Sequence, residues 1–274
     1  MVSINTNVGA MVALQNLNAT SSQLQQTQNI ISTGLKVGSA KDDGATWAIA
    51  QNQRATASSL DAVKDSLNRA SSVTDVALAA GGQISDLLSQ MQSKALAASD
   101  TSLDTASRSA LNTDFISLRN QIQSVVNNAA FNGINLIKNG AANVAALANS
   151  TGTSVLTVVA QDLSVGGANV TVGSTGTIGT VTQATNMIAT VQTSINNVSA
   201  ALAKFGTASK SIASTLTFVG KMQDTITAGV GNLVDADLAK ESAHLQALQT
   251  KQQLGIQALS IANQAPQSVL SLFR

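Results

Sequence analysis

Few residues in this chain could take part in chemistry. The sequence has one glutamate and one histidine, Glu241 and His244, and their spacing places them on one face of a helix. A carboxylate-bridged pair of metal ions needs two Glu-x-x-His motifs and further glutamates, which this chain does not have. We therefore interpret the pair as a hydrogen bond on the surface of a helix and expect no metal site.

Two other patterns also fail to make a site. Asp42 and Asp43 are adjacent, so their side chains point in different directions, and a solvated loop or a helix start explains them better than an acid pair. The glycines between positions 166 and 179 match neither phosphate-loop pattern and are better explained by a turn-rich hairpin. Because no nucleophile stands beside a base, we expect a protein that is not an enzyme and that binds no cofactor.

The composition argues against several classes of partner. The formal net charge of the 274 residues is +1, which gives no electrostatic reason to bind nucleic acid or an anionic membrane. There is no cysteine, and no apolar run reaches the roughly 18 residues of a membrane-spanning helix. The first residues lack the basic and apolar regions of a cleaved signal peptide, so we expect any export to use a dedicated exporter.

Apolar residues at alternating steps of three and four predict long helices with coiled-coil seams. The longest seam covers residues 188–233, with polar residues only at Ser209 and Gln223. Two more seams cover residues 60–98 and 111–129. Three seams in one chain can bury one another, so we predict a mainly α fold, an elongated antiparallel coiled-coil rod or helical bundle.

The helices of this rod should pack closely. The seam of residues 60–98 contains small residues, namely Ala70, Ala77, Gly81, Ala95 and Ala98. Small residues let two backbones approach, and the large side chains of Phe115 and Phe205 can fill the space opposite them.

Both ends of the chain have a helical pattern without charge. Residues 1–35 contain no charged residue, and neither do residues 252–273. Leu248, Leu259 and Leu270 recur every eleven residues and form one stripe on a nearly straight helix. Uncharged helices are poorly soluble alone, so we expect the two ends to pair with each other and then with copies of themselves. In the isolated chain we expect them to be disordered tails, and in an assembly we expect them to be ordered.

Two features mark boundaries near the C-terminus. The apolar phase shifts around Leu233, a stutter that we interpret as the junction between the rod and the terminal helix pair. Pro266, the one proline, should kink the last helix or end a segment just before it. We predict a terminal coiled-coil domain of residues 1–40 with 235–274, and a helical rod domain of residues 41–234.

The helical period disappears between residues 131 and 181. Asn132-Gly133 marks a turn, and β-branched runs at 154–160 and 169–172 flank a pair of glycines. We predict a small β-hairpin region in the middle of the chain, formed by these two runs.

Several motifs resemble those of the bacterial flagellins. Residues 32–43 and 48–50 resemble the N-terminal signature of that family, and residues 131–133 resemble the turn that ends its second rod helix. Residues 235–237 and 262–274 resemble the start and the end of its C-terminal segment. The match covers both terminal thirds in order. Trp47 is a departure, because the family usually has a small aliphatic residue there.

The resemblance implies a structural subunit of the extracellular flagellar filament, in which paired terminal helices line an inner tube. The short middle of the chain implies that large outer domains are missing. Expected partners are other copies of the chain or related flagellins, an export chaperone, and the hook–filament junction and cap proteins. Two alternatives are a hook–filament junction protein and a secreted coiled-coil binding protein.

The assembly contacts should lie on the terminal helices. Most of the residues concerned belong to the apolar stripes of those helices, and the last belongs to the terminal motif. They are Leu14, Leu17, Leu24, Ile31, Leu245, Leu248, Ile256, Leu259, Leu270 and Phe273.

Overall fold

The computed structural model describes residues 6–271, and for residues 265–271 it describes the backbone only. Within this range the elements are, in order, α1 (Val8–Thr33), α2 (Gly44–Ala98), α3 (Thr105–Asn128), β1 (Val144–Leu147), β2 (Val155–Val158), α4 (Val181–Val234) and α5 (Leu238–Ser271). The fold is therefore mainly α with one small antiparallel hairpin, as the sequence predicts.

The chain divides into two compact units. The terminal unit contains the residues up to 55 together with those from 225 onward, and the central unit contains residues 56–224. Long-range hydrogen bonds show how the helices of the central unit run. Lys64 Nζ lies 3.1 Å from Gln223 Oε1, and Gln92 Nε2 lies 2.6 Å from Gln192 Oε1. As the residue number rises along α2 it falls along α4, so these two helices are antiparallel.

The core of the central unit follows the predicted seams. Every seam position from 60 to 98 on α2 is buried. On α4 the fully buried positions of the predicted seam are seven residues apart, at Val191, Val198, Phe205, Ile212 and Val219, and the seam positions between them are half-buried. Ser194 and Ala201, one position before two of these half-buried residues, are fully buried as well. A seven-residue repeat of buried side chains is the signature of coiled-coil packing.

Close approach of α2 and α4 is also confirmed. A Cβ atom placed on Gly81 would lie only 2.5 Å from Cδ2 of Leu202. Because no side chain stands at Gly81, the leucine of α4 can fill that space. The pairing of small with large residues therefore holds the two helices together in the central unit.

The third predicted seam, on α3, is shifted near its end. Phe115, Leu118 and Ile122 are buried, as predicted. Val125 is only partly buried, and the fully buried residue is Val126. The backbone leaves the helix here, where the carbonyl of Val126 accepts a hydrogen bond of 2.7 Å from Asn135 Nδ2.

The hairpin has a different partner strand from the one predicted. β1 pairs with β2 in register from Val144↔Val158 to Leu147↔Val155. The run 169–172 forms no strand, although it is β-branched. Its valines, Val170 and Val172, are buried, and the amide of Thr171 donates to Ser194 Oγ on α4. Residues 169–172 therefore pack against α4 and do not pair as a strand with β2.

The predicted Asn-Gly turn is present. Asn132 and Gly133 both have positive φ, at 50° and 78°. The flanking residues Phe131 and Ile134 exchange two backbone hydrogen bonds of 2.9 and 3.0 Å. This is the geometry of a type I′ turn, which favours Asn-Gly because both central residues have positive φ.

The last helix does not end before its proline. α5 continues through Pro266 to Ser271. Proline removes one backbone donor, and this helix runs on without that hydrogen bond.

Two phenylalanines on α4 allow a matched test of the core of the central unit. Phe205 is fully buried, whereas Phe218 is 61% exposed. Replacing Phe205 by Ala should cost about 3–5 kcal/mol in the free energy of unfolding because it leaves a cavity. Phe218→Ala should stay within about 0.5 kcal/mol of the parent. Urea unfolding followed by circular dichroism measures both, and equal losses would show that the seam is not the core.

Candidate assembly interface

A backbone clasp joins the two chain ends within the terminal unit. Gly34 ends α1 with a positive φ of 72°, and its amide donates to the Ile30 carbonyl at 2.8 Å. The amides of Lys36 and Val37 then donate to the carbonyl of Val234, at 2.7 and 3.2 Å. The amide of Ala236 returns a hydrogen bond of 2.9 Å to the Gly34 carbonyl. The connection after α1 is therefore tied to the connection before α5.

A small hydrophobic cluster lies beside this clasp. Val37, Ala50, Val230 and Val234 are buried, and Trp47 packs against them together with Leu35 and Ile226. The tryptophan that departs from the family pattern thus serves as packing for the clasp. Its ring covers apolar side chains from both chain ends.

The junction before α5 is a helix break and not the predicted stutter. α4 ends at Val234, and α5 begins at Leu238. Between them, the Asp237 carboxylate accepts hydrogen bonds from the amides of Ala239 and Lys240, at 3.0 and 3.1 Å. A side chain that satisfies the free amides of a first helical turn is an N-cap. The shift in apolar phase marks the right place, but the capping aspartate starts a new helix there.

The two adjacent aspartates have separate structural roles. Asp42 Oδ2 accepts hydrogen bonds from the amides of Gly38 and Ser39 in the connecting loop. Asp43 accepts from the amides of Ala45 and Thr46 and so starts α2. The interpretation as a loop and a helix start is confirmed.

The terminal helices α1 and α5 pack antiparallel to each other. Asn7 Nδ2 donates to the Ala262 carbonyl at 2.7 Å, near the start of α1. Further along α1, a Cβ atom on Gly255 of α5 would lie 3.3 Å from Leu17 Cδ1. The predicted pairing of the two chain ends is therefore present within one chain.

This pair buries little. Thr27 is the only buried residue in the whole of α1. On α5, within the residues whose side chains are described, Leu248 is the only buried residue. A unit with so few buried side chains gains little stability from its own packing.

The predicted assembly residues differ in how far they are buried within one chain. Leu248 is buried within the chain, and five others are partly buried: Leu17, Leu24, Ile31, Leu245 and Leu259. Leu14 and Ile256 are exposed, at 47% and 55%. The side chain of Leu270 is not described, and Phe273 lies outside the described residues. The eleven-residue stripe therefore serves first to pair the helices of one chain.

The structure adds exposed apolar residues that the stripes do not contain. They lie on the same two helices, and they are Val8, Met11, Val12, Leu254 and Ile261. The three–four stripes of α1 and α5 do not include them, because they lie on other faces of these helices. The signal that could have identified them is the absence of charge from residues 1–35 and 252–273. A helix usually marks its solvent-exposed face with charged residues, and these segments have none.

The one glutamate and the one histidine of the chain lie on α5. His244 Nδ1 and Glu241 Oε2 are 3.7 Å apart, a separation that fits an ion pair but exceeds a hydrogen bond. The predicted hydrogen bond is therefore wrong. Among the described residues, no group of three His, Cys, Asp or Glu side chains could hold a metal ion. No described helix is long and apolar enough to cross a membrane.

Comparison with known proteins gives a consistent result over nearly the whole chain. The family model of the bacterial flagellin N-terminal helical region matches residues 4–142, and that of the C-terminal helical region matches residues 188–273. Flagellin FljM of Caulobacter vibrioides is 58% identical over 272 residues, which cover 99% of this chain and 98% of that protein. A flagellin of Brucella melitensis is 38% identical over 287 residues, which cover both proteins completely.

One solved structure supports the fold. The crystal structure of Bacillus cereus flagellin superposes with a TM-score of 0.50 at 21% sequence identity. The superposition covers 56% of this chain and 88% of that chain.

The cap formed by Asp43 predicts a pH dependence. The hydroxyl of Thr46 donates to this carboxylate at 2.6 Å, and that hydrogen bond lowers the pKa of Asp43 below its ordinary value. A lowered pKa in the folded state adds stability at neutral pH, which is lost as the pH falls through the folded value. Asp43→Ala should therefore lower the melting temperature at pH 7, and the difference should vanish in acid below that pKa. Asp43→Asn is the control, because it keeps an acceptor.

Low burial in α1 and α5 predicts that the isolated chain is cut at its ends. Limited proteolysis should remove about 40 residues from each end and leave a resistant central core, because terminal segments with so few buried side chains open readily. Mass spectrometry of the products gives the cut sites. Terminal segments that resist digestion as long as the core would contradict this expectation.

Proposed function

Because this chain belongs to the bacterial flagellins, we propose that its α1–α5 pair is the wall along which copies of it assemble. The chain is a structural subunit that self-assembles into the extracellular helical filament of the flagellum, which serves swimming motility. No observation favours a hook–filament junction protein or a coiled-coil binding protein.

The apolar surface that one chain leaves uncovered supports this proposal. Leu14 on α1 and Ile256 on α5 remain exposed after the helices have paired, together with the neighbouring apolar residues of both helices. Burial of one such side chain is worth about 1.5–3 kcal/mol, and the gain is repeated at every subunit. A second copy of the chain can cover these apolar side chains, so assembly buries surface that a single chain leaves exposed.

The distribution of charge supports the same conclusion. Residues 6–35 and 252–264 carry no charged side chain. An unpaired charge inside a packed wall would cost several kcal/mol. Asn, Gln, Ser and Thr fill the polar positions instead, and they can form hydrogen bonds within a wall at no such cost.

The remaining roles are inferred from membership of the family. We infer that residues 1–40 with 235–274 form the inner tube and that residues 41–234 pack around it. We also infer export through a dedicated flagellar route with a chaperone, and contacts with cap and hook–filament junction proteins. The flagellins are structural proteins, which supports the inference that this chain is not an enzyme.

One substitution tests the wall directly. Ile256 is 55% exposed on α5, so Ile256→Asp should leave the folded chain intact and abolish filaments, because the carboxylate would be buried between copies. Seeded polymerisation followed by sedimentation and electron microscopy measures the outcome. Leu259→Asp should also prevent filaments, but Leu259 is partly buried within the chain, so it is the less direct variant.

The matched control for this test is Val155→Asp. Val155 is 51% exposed on β2, outside the terminal helices, so filaments should form as they do for the unmodified chain. Circular dichroism of all variants checks that the helices remain. Filaments of normal length from Ile256→Asp at normal protein concentration would rule out α5 as part of the wall.

A further inference from the structure

The methionines of this chain differ in how easily a dissolved reagent can reach them. The sequence has five, and among the four whose side chains the structure describes, Met11 on α1 alone is exposed, at 63%. Met91 on α2 is fully buried, and Met187 and Met222 on α4 are half-buried. The thioether of Met11 is therefore the most accessible of the four.

The surroundings of Met11 on α1 are apolar. Val8 and Val12 are 65% and 51% exposed, and positions 8, 11 and 12 share one face because residues three and four apart are neighbours on a helix. No residue of α1 carries a charge. We call Val8, Met11 and Val12 the Met11 face. The pairing of α1 with α5 leaves this face uncovered in a single chain.

Oxidation by a peroxide changes a methionine side chain from apolar to polar. A lone pair on Sδ attacks one oxygen of hydrogen peroxide, the O–O bond breaks, and the leaving hydroxide takes the proton of the transferred oxygen to become water. The sulfur is oxidised by two electrons, and the peroxide is reduced by two. Methionine sulfoxide reductases reverse the change, with one enzyme for each sulfoxide epimer.

A sulfoxide at position 11 has different consequences in the single chain and in the filament. In the single chain the exposed side chain is in water, which donates hydrogen bonds to the new oxygen, so the fold is kept. In a filament whose wall is α1 and α5, a neighbouring copy excludes this water. The side chains of Val8 and Val12 have no donor to replace it, and a buried polar oxygen without a hydrogen bond is unfavourable.

We propose that Met11 is an oxidation site that controls assembly. A peroxide that oxidises its thioether weakens the addition of the chain to the filament, and reduction of the sulfoxide restores it. The proposal rests on the proposed function, since it takes the Met11 face as part of the wall between copies. Once a chain has been added to the filament, the same face is covered, and Met11 is protected from the oxidant.

A competition within one sample tests this inference without any substitution. Purified full-length chain is treated with hydrogen peroxide until part of its Met11 is oxidised, and seeded polymerisation is stopped before completion. Sedimentation separates filaments from soluble chains, and peptide mass spectrometry gives the sulfoxide fraction of Met11 in each pool. The ratio of sulfoxide to thioether should be lower in the filaments on the order of tenfold, the equivalent of one lost hydrogen bond. Equal ratios in the two pools would overturn the proposal.

Three variants assign the effect to position 11. Met11→Leu keeps an apolar side chain of similar volume, so its critical concentration should match that of the parent before and after peroxide. Met11→Gln places a polar group there and should raise the critical concentration without any oxidant. The matched control Met222→Leu removes a half-buried methionine of the central unit and should stay as sensitive to peroxide as the parent. Circular dichroism checks that the helices of each variant remain.

Protection in the filament provides a second measurement. Met11 in preformed filaments should react with hydrogen peroxide more slowly than in the single chain, on the order of tenfold, because reaction then requires the wall to open. Treatment of the oxidised single chains with both sulfoxide reductases should restore the parental critical concentration. Equal reaction rates in filament and single chain would overturn the proposal, because the Met11 face would then be open in both.

The outcomes separate this proposal from the one it rests on. If the untreated chain forms no filaments, the proposed function fails, and the oxidation site fails with it. If the untreated chain forms filaments, an oxidised Met11→Leu variant that loses assembly as the parent does would overturn the oxidation site alone. Met11 that stays reduced in the single chain while Met187 or Met222 reacts would also overturn it.

Discussion

Burial of apolar side chains is completed in one unit of this chain and left incomplete in the other. In the central unit, the buried line of α4 from Val191 to Val219 meets a fully buried seam on α2. In the terminal unit, α1 buries only Thr27, although it is a helix of 26 residues. Since burial is the main source of stability, the central unit gains much more stability from its own packing than the terminal unit does.

The clasp lies within this incomplete unit, where the chain leaves α1 and enters α5. Two short connections exchange backbone hydrogen bonds at Gly34, Val234 and Ala236, and the cluster around Trp47 covers them. Backbone hydrogen bonds fix the chain direction more strictly than side-chain packing does. The clasp therefore places the end of α1 beside the start of α5. The two helices pair from there, although few of their side chains are buried.

The long helices could be predicted because their signal is local. A seam of apolar residues at steps of three and four depends on nothing outside the helix, and α2 is buried at every predicted position. The Asn132-Gly133 turn was equally predictable, because few sequences other than Asn-Gly tolerate two successive positive φ angles.

Features that depend on distant residues were missed. Val144–Leu147 contains two alanines and has little intrinsic preference for a strand, yet it forms β1. Two contacts with distant residues hold it there: it pairs with β2, and the amide of Leu147 donates a hydrogen bond to Ser66 Oγ on α2. Arg108 is buried, and its guanidinium donates to the carbonyls of Ala98, Asp100 and Leu103. The residues around Arg108 contain no pattern that predicts its hydrogen bonds to carbonyls at and after the end of α2.

The sequence also does not predict which apolar residues of α1 and α5 are buried within the chain and which remain exposed. Leu248 and Ile256 are both apolar and lie on α5, but Leu248 is buried and Ile256 is 55% exposed. Residues 6–35 and 252–264 carry no charged side chain that would mark the side facing water. The contact between α1 and α5 decides which residues remain for assembly, and that contact is tertiary.

Hydrogen exchange in the monomer and in the filament tests the central claim most directly. If copies supply the burial that one chain lacks, amides of α1 and α5 should exchange far faster than those of the α2 seam in the monomer. In the filament they should slow to the level of that seam, because the local opening that permits exchange would expose the wall. Equal protection of α1 and α5 in the monomer and in the filament would contradict the claim.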